Sequence, residues 1–232
     1  MKNLQKIFEK YGINLSKEQE EQFDKYFSML VETNRVMNLT AITEESEVLI
    51  KHFLDSALPE KFIPQNSTVV DVGSGAGFPA IPLKIVRPDL KIYMVDSLNK
   101  RINFLNSVIK ELNLQNTYAF HDRAEDFAVK NREKFDVAVA RAVASLNTLS
   151  EYLLPLVKVG GRAVIYKSTK LEEEIEESRK AISVLGAKID SIEKFVIEEE
   201  NLERNILVLS KISQTPKKYP RNKNQPKLNP IK

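Results

Sequence analysis

The stretch Thr68-Val69-Val70-Asp71-Val72-Gly73-Ser74-Gly75-Ala76-Gly77-Phe78-Pro79-Ala80-Ile81-Pro82-Leu83 decides the fold. Its first five residues are mostly apolar and β-branched, and they run straight into glycines. That reads as a short buried strand. The glycines permit positive φ and let a ligand approach the backbone closely. A helix is expected to start near 78–81. In an open parallel sheet, such a turn lies beyond the carboxyl end of a strand, where ligands bind.

Outward from this stretch the rhythm repeats. Strands are expected at 91–95, 117–121, 135–140 and 161–167, with helices at 100–112, 146–157 and 171–185 between and after them. The runs at 192–198 and 205–212 have strand composition and lie close together, like a terminal antiparallel pair. Alternation of this kind implies an α/β fold with a mostly parallel, doubly wound, seven-stranded sheet. Residues 1–62 read instead as a helical extension. Ser16 and Gln19 have capping-box spacing, and Phe23, Phe27, Leu30, Val31 and Asn34 keep helical spacing. A second helix is expected over 44–58, with Val48, Phe53, Leu54 and Ala57 on one side. The division is therefore 1–62 helical extension, 63–212 α/β domain, and 213–232 a basic, extended tail rich in Pro, Lys and Asn.

With 232 residues, 42% of them hydrophobic, the chain supports one sizeable core with an appendage. No apolar run approaches the ~20 residues of a membrane span, and residues 1–10 lack an apolar signal core. There is no cysteine, which excludes disulfides and thiolate metal sites. A cytoplasmic monomer with no metal is the reading. Net charge is +3, but eight of the 35 basic residues fall from Arg204 onward, after the last acid, Glu203. The remaining 27 cations face 32 acids. A slightly acidic body with a basic end suits an anionic partner such as nucleic acid; a merely solvated tail is the plain alternative.

Asp96 ends the second strand about twenty residues beyond the glycine turn, where an acid takes ribose hydroxyls. His121-Asp122-Arg123-Ala124-Glu125 follows the third strand, where side chains and amides can read an adenine edge. A dinucleotide fingerprint wants a third glycine and a clear helix start for pyrophosphate. Here Phe78 stands in that place, and Pro79 and Pro82 interrupt the first turn. Asp71 is a poor neighbour for pyrophosphate and a better one for a cofactor carrying a sulfonium and an ammonium. These features favour S-adenosylmethionine over NAD. A purely structural turn leaves the spacing of Asp71, Gly77 and Asp96 unexplained.

Methyl transfer is an in-line displacement in which proximity and alignment supply most of the catalysis. Without cysteine, the covalent route to pyrimidine C5 is closed. After the fourth strand stands Ala140-Arg141-Ala142-Val143-Ala144-Ser145, not the Asn-Pro-Pro-aromatic motif of exocyclic-amine methylation. A ring nitrogen with its own lone pair, such as guanine N7, needs no base. Arginine or asparagine to hold base and phosphates then suffices. Arg141 ends the fourth strand on the cofactor side, Arg123 lies near it after the third strand, and Lys167 ends the fifth strand. Lys100 and Arg101 open a helix and read equally as solvating cations.

The chain resembles the bacterial 16S rRNA guanine-N7 methyltransferases, also called glucose-inhibited division protein B, over almost its whole length. The resemblance rests on Asn38-Leu39-Thr40-Ala41-Ile42, His52-Phe53-Leu54-Asp55-Ser56, the stretch 71–83 with its Gly-Phe-Pro-Ala-Ile-Pro, and Asp96-Ser97 with Lys100-Arg101. Arg123-Ala124-Glu125, Ala140-Arg141-Ala142 and Lys218-Tyr219-Pro220-Arg221 continue it. It implies a class I S-adenosylmethionine-dependent methyltransferase acting on N7 of a guanine, position 527 in the 530 loop of 16S rRNA, with the 30S subunit as partner. It further implies Gly73, Gly75, Phe78, Asp96, Ser97, Ala124, Glu125 and Arg141 at the cofactor. Asn38, His52, Arg123, Lys167, Lys218 and Arg221 would contact RNA, with Arg141, Arg123 and Asn38 closest to the chemistry. A packed helix histidine is the other reading of His52. Two departures stand out: Ser168 follows Lys167 where glycine is usual, and Asn222-Lys223-Asn224 replaces a tail glycine. A small-molecule methyltransferase on the same fold explains the glycine turn but not the basic tail.

Overall fold

The computed structural model describes residues 1–167 and 171–232; Ser168 lies outside them. The chain starts with α1 (Leu4–Lys10) and α2 (Lys17–Met37). The expected capping box is present: Ser16 Oγ accepts from the Gln19 amide, and Gln19 Oε1 accepts from the Ser16 amide at 2.8 Å. The two bonds satisfy backbone donors that a helix start leaves orphaned. α2 buries Phe23, Tyr26 and Leu30 and ends where Asn38 turns left-handed at φ 48°.

The expected helix over 44–58 is interrupted. It runs as α3 (Glu45–Val48), a π-helix (Leu49–Leu54), α4 (Asp55–Ala57) and a 3-10 turn (Leu58–Phe62). The wider π turns leave the Lys51 carbonyl accessible to a side chain from the sheet, Arg141, at 2.9 Å. The helical extension shares one core with the α/β body. Phe8, Phe23, Tyr26 and Phe53 pack in the same cluster as Val69, Ile81 and Leu105. Tyr26, fully buried, donates its hydroxyl proton to the Ala76 carbonyl of the glycine turn at 2.6 Å.

The body alternates β1 (Thr68–Val72), α5 (Ala80–Val86), β2 (Lys91–Asp96), α6 (Asn99–Glu111), β3 (Thr117–His121), α7 (Ala124–Lys130), β4 (Phe135–Arg141) and α8 (Leu146–Leu153). β5 (Val157–Lys167), α9 (Leu171–Val184), β6 (Ala187–Ile197) and β7 (Leu202–Lys211) complete it. One seven-stranded sheet has the order β3-β2-β1-β4-β5-β7-β6. β1 to β5 are parallel, and β7 runs antiparallel between β5 and β6, with Ile165 opposite Leu207. The expected class I α/β fold is therefore present. α8 ends earlier than expected and β5 starts earlier, at Val157. A second core, built on Val70, Ala138, Leu149, Leu153 and Ile165, covers the opposite sheet face. Among the described residues no helix is long and apolar enough to cross a membrane.

The tail differs from expectation. Residues 213–232 are packed, not extended, and contain α10 (Gln225–Leu228). Thr215, Tyr219 and Pro226 are buried. Arg221 holds Glu151 in a fork, Nη2 to Oε2 at 2.7 Å and Nε to Oε1 at 3.0 Å, and Glu151 is fully buried. Buried Lys211 donates to Glu133 Oε1 and to the carbonyls of Leu154 and Val157. Two of the terminal cations, Lys211 and Arg221, thus pair with acids of the body, while Lys217, Lys218, Lys223, Lys227 and Lys232 remain exposed. Lys223 and Asn224 are left-handed, at φ 52° and 58°.

Candidate active site

Two cavities open beside the carboxyl ends of the parallel strands and share Ala142 in their walls. The first holds about 300 Å³. Its base is the turn after β1, tied to β2 by the Gly73 and Ser74 amides, which donate to the Val95 carbonyl at 2.8 and 3.2 Å. Gly73 is left-handed at φ 76°, and a Cβ there would come within 2.8 Å of Val143 Cγ2. Only glycine fits that approach without displacing Val143.

Asp96 ends β2 at 3% exposure. Its Oδ2 accepts from the Gly75 amide at 2.9 Å and from Arg101 Nη1 at 3.1 Å, and its Oδ1 from the Leu98 amide at 2.9 Å. Ser97 lines the cavity beside it, and Arg123, Ala124 and Glu125 line it beyond β3. Six of the expected cofactor and substrate residues, Gly73, Asp96, Ser97, Arg123, Ala124 and Glu125, therefore converge here. Gly75 is outside the lining and serves Asp96.

Asp71 lies beneath this turn, fully buried, and neither carboxylate oxygen has a hydrogen-bond partner among the described residues. Burial raises its pKa from 3.8 to about 8, outweighing the nearby Ser74 hydroxyl, the Ala80 amide and the Arg141 charge. A buried polar group left without a partner is costly, and such sites are commonly built for something else to satisfy.

The second cavity, about 430 Å³, is lined by Arg141, His52 and Lys167 together with Asp55, Tyr166 and Arg204. Arg141 reaches from the end of β4 into the π-helix. Its Nη1 donates to the Lys51 carbonyl at 2.9 Å and to Asp55 Oδ2 at 2.8 Å. Its Nη2 lies 3.1 Å from His52 Nδ1. Nδ1 is also 3.0 Å from the Lys51 carbonyl, and His52 Nε2 lies 2.8 Å from Thr40 Oγ1, so the ring is held at both nitrogens. Burial and the Arg141 charge push the His52 pKa down to about 4, so the ring is neutral at pH 7. Asp55, also buried, takes a second arginine, Arg204, at 3.0 Å. Lys167 donates to Glu174 at 2.5 Å and to the Ala144 carbonyl at 3.0 Å.

Phe78 joins the two halves from behind. Its ring stacks on His52 at 4.4 Å and lies 5.0 Å from the Arg141 guanidinium carbon. Arg141 thus lines the second cavity and not the first, and Phe78, expected at the cofactor, lines neither and packs behind His52 and Arg141. Arg123, expected at RNA, lines the first. Asn38 is exposed, lies outside both linings and closes α2. Lys218 is exposed beside Tyr219, and Arg221 is committed to Glu151. Sequence reasoning missed Asp55, Arg204 and Asn224. Asp55 carried one usable signal, its i+3 spacing from His52; the other two carried none.

The family described as rRNA small subunit methyltransferase G matches residues 19–206. The Ribosomal RNA small subunit methyltransferase G of Brevibacillus brevis is 52% identical over 224 residues, covering 95% of this chain and 94% of that protein. Among solved structures, a SAM dependent methyltransferase from Aquifex aeolicus superposes with TM-score 0.54 at 16% identity, over 74% of this chain and 96% of the other. M. jannaschii TYW2 in complex with AdoMet gives TM-score 0.56 at 18% identity, over 74% and 80%. At those identities the structures speak to the fold. The match to the family model and to the curated relative decides the rest: this chain belongs to the rRNA small subunit methyltransferase G family.

Proposed function

We propose that this chain transfers a methyl group from S-adenosylmethionine to N7 of a guanine in the 530 loop of 16S rRNA, as a cytoplasmic enzyme acting on the 30S subunit or its RNA. The observation that carries the reading is the meeting of two cavities at Ala142: one beside a glycine turn, one beside a fixed arginine and a neutral histidine.

The residues present fit the cofactor. The close approach of Gly73 to Val143 shapes the turn, Asp96 stands where ribose hydroxyls are taken, and Asp71 offers an unpartnered carboxyl beneath the turn. When bound, S-adenosylmethionine supplies an electrophilic methyl on a cationic sulfonium. Gly73, Asp96, Ser97, Ala124 and Glu125 would hold it.

Guanine N7 would attack with its own lone pair, so no residue has to remove a proton; the methyl–sulfur bond would break as the carbon–nitrogen bond forms, and the positive charge would pass from the sulfonium to the base. Two features of the second cavity suit that step. Asp55 offsets the charge of Arg141 at 2.8 Å, and His52 stays neutral, so the developing charge is not opposed by an imidazolium. Both N–H groups of Arg141 Nη1 are engaged within the chain, by the Lys51 carbonyl and Asp55, which leaves donors elsewhere on the fork for guanine O6 while N7 stays free. Lys167 and Arg204 border the same cavity, where Glu174 and Asp55 hold them.

The test is methylation of 30S subunits lacking this modification by the purified chain with labelled cofactor. Label in N7-methylguanosine of the 530 loop is expected. Labelling of small metabolites with none in rRNA would overturn the assignment.

A further inference from the structure

The C-terminal segment reaches the wall of the first cavity. Asn224 contacts two residues some hundred positions earlier in the chain. Its amide donates to Glu125 Oε1 at 3.3 Å, and its Oδ1 accepts from Arg123 Nη1 at 3.0 Å. It also lines the cavity itself. Its place is fixed from both sides. Before it, the Arg221 amide and guanidinium grip the fully buried Glu151, the amide at 2.7 Å. After it, the buried Thr148 hydroxyl donates to the Pro226 carbonyl at 3.0 Å. Between these anchors, left-handed Lys223 and Asn224 turn the chain over the crevice. Asparagine tolerates that conformation better than most residues.

We propose that Asn224 is a positioning residue of the cofactor site, holding Arg123 and Glu125 at the nucleoside end of the crevice. The segment 221–226 then sets affinity for an adenosine-bearing ligand, not for RNA. The inference rests on the reading of the first cavity as the S-adenosylmethionine site. The nucleoside end is assigned because this wall is built from the ends of β2 and β3, where Asp96 stands. Arg123 is exposed and long, so without Asn224 it loses the hydrogen bond that restricts its rotamers. Glu125 is buried and loses nothing when only the Asn224 side chain is removed, because its bond is to the backbone amide.

Calorimetric titration of the full chain with S-adenosylmethionine and with 5′-methylthioadenosine tests this. Asn224→Gly keeps the left-handed backbone and deletes the acceptor; Asn224→Asp keeps an acceptor for Arg123. In Asn224→Gly both ligands are expected to bind roughly fivefold more weakly, the scale of one partly exposed hydrogen bond. The cofactor KM rises by a similar factor, with kcat falling by much less, and affinity for a 16S rRNA fragment is retained. Asn224→Asp restores most of the lost affinity. Unchanged ligand affinity in Asn224→Gly overturns the inference, as does weakened RNA binding with ligand binding intact. An unsubstituted chain that binds neither ligand refutes the proposed function, and this inference with it.

Discussion

Asp71→Asn is expected to stabilise the protein while impairing it. The Asp71 carboxyl is fully buried, has no hydrogen-bond partner among the described residues, and has its pKa raised from 3.8 to about 8. Between those two values the folded state keeps a proton that the unfolded state releases. Stability therefore falls as pH rises from about 4 toward 8, and the loss is complete above the folded value. At pH 7 the shift corresponds to about 4 kcal/mol at 1.4 kcal/mol per unit. Asparagine is nearly isosteric and never ionises, so it removes that loss but leaves its own amide unpartnered, for a net gain of about 2–3 kcal/mol. In a chain of this length that raises Tm by roughly 5–10 °C at pH 7, and the gain turns into a deficit of about 1 kcal/mol at pH 4, where little ionisation loss is left to remove and the unpartnered amide still costs.

Urea denaturation and thermal melts of both proteins at pH 4, 7 and 8.5 read the effect. Titration with S-adenosylmethionine reads its counterpart, about tenfold weaker binding, if the carboxyl serves the cofactor's cationic end. Binding to the unsubstituted chain at pH 7 then releases most of one proton, seen as a heat that varies with the buffer's ionisation enthalpy. A variant that melts below the parent at pH 7, or with the same pH profile, would refute the electrostatic account of Asp71.

Arg141→Lys keeps the charge but cannot bridge the Lys51 carbonyl, Asp55 and His52 together; methyl incorporation into 30S subunits is expected to fall by about 100-fold or more, roughly 3 kcal/mol of transition-state stabilisation, and parental turnover would remove Arg141 from the site. Arg221→Ala strands the buried Glu151 and should destabilise the fold by about 3–5 kcal/mol in urea at pH 7; a loss under about 1 kcal/mol would mean the terminal segment is only loosely held. Ser16→Ala removes one half of the capping box at α2 and should lower stability by about 1 kcal/mol with cofactor affinity unchanged; a cofactor effect would mean that α2 couples to the glycine turn more strongly than through Tyr26 alone.

The strands from β1 to β5 were legible because hydrophobic periodicity and glycine placement act over a few neighbouring residues. The insertion of β7 between β5 and β6 was not read, although the charged alternation of Ile192-Glu193-Lys194-Phe195 suits an edge strand and the apolar run Ile206–Leu209 a strand buried on both faces. Apolar Val48, Phe53, Leu54 and Ala57 suit an α-helix, and nothing in their spacing announces the π turns at Leu49–Leu54. Those turns matter because they present the Lys51 carbonyl to Arg141, ninety residues away. Counting charges gave a basic tail, but a charge count does not show which acids are buried. Glu133 and Glu151 take up Lys211 and Arg221, which removes those two cations from any surface available to RNA.

By itself, the sequence determined the strand–glycine turn at 68–77, the acid at 96 and the α/β class, local patterns fixed by backbone sterics and hydrophobic periodicity; the family followed from the resemblance of its motifs. Only the tertiary structure decided which charges meet. It placed Asp55 between Arg141 and Arg204, left Asp71 unpartnered and brought Asn224 to Arg123. The reason is that an ion pair or an orphaned carboxyl depends on burial and on partners far off in sequence, and neither is written in the spacing of neighbouring residues.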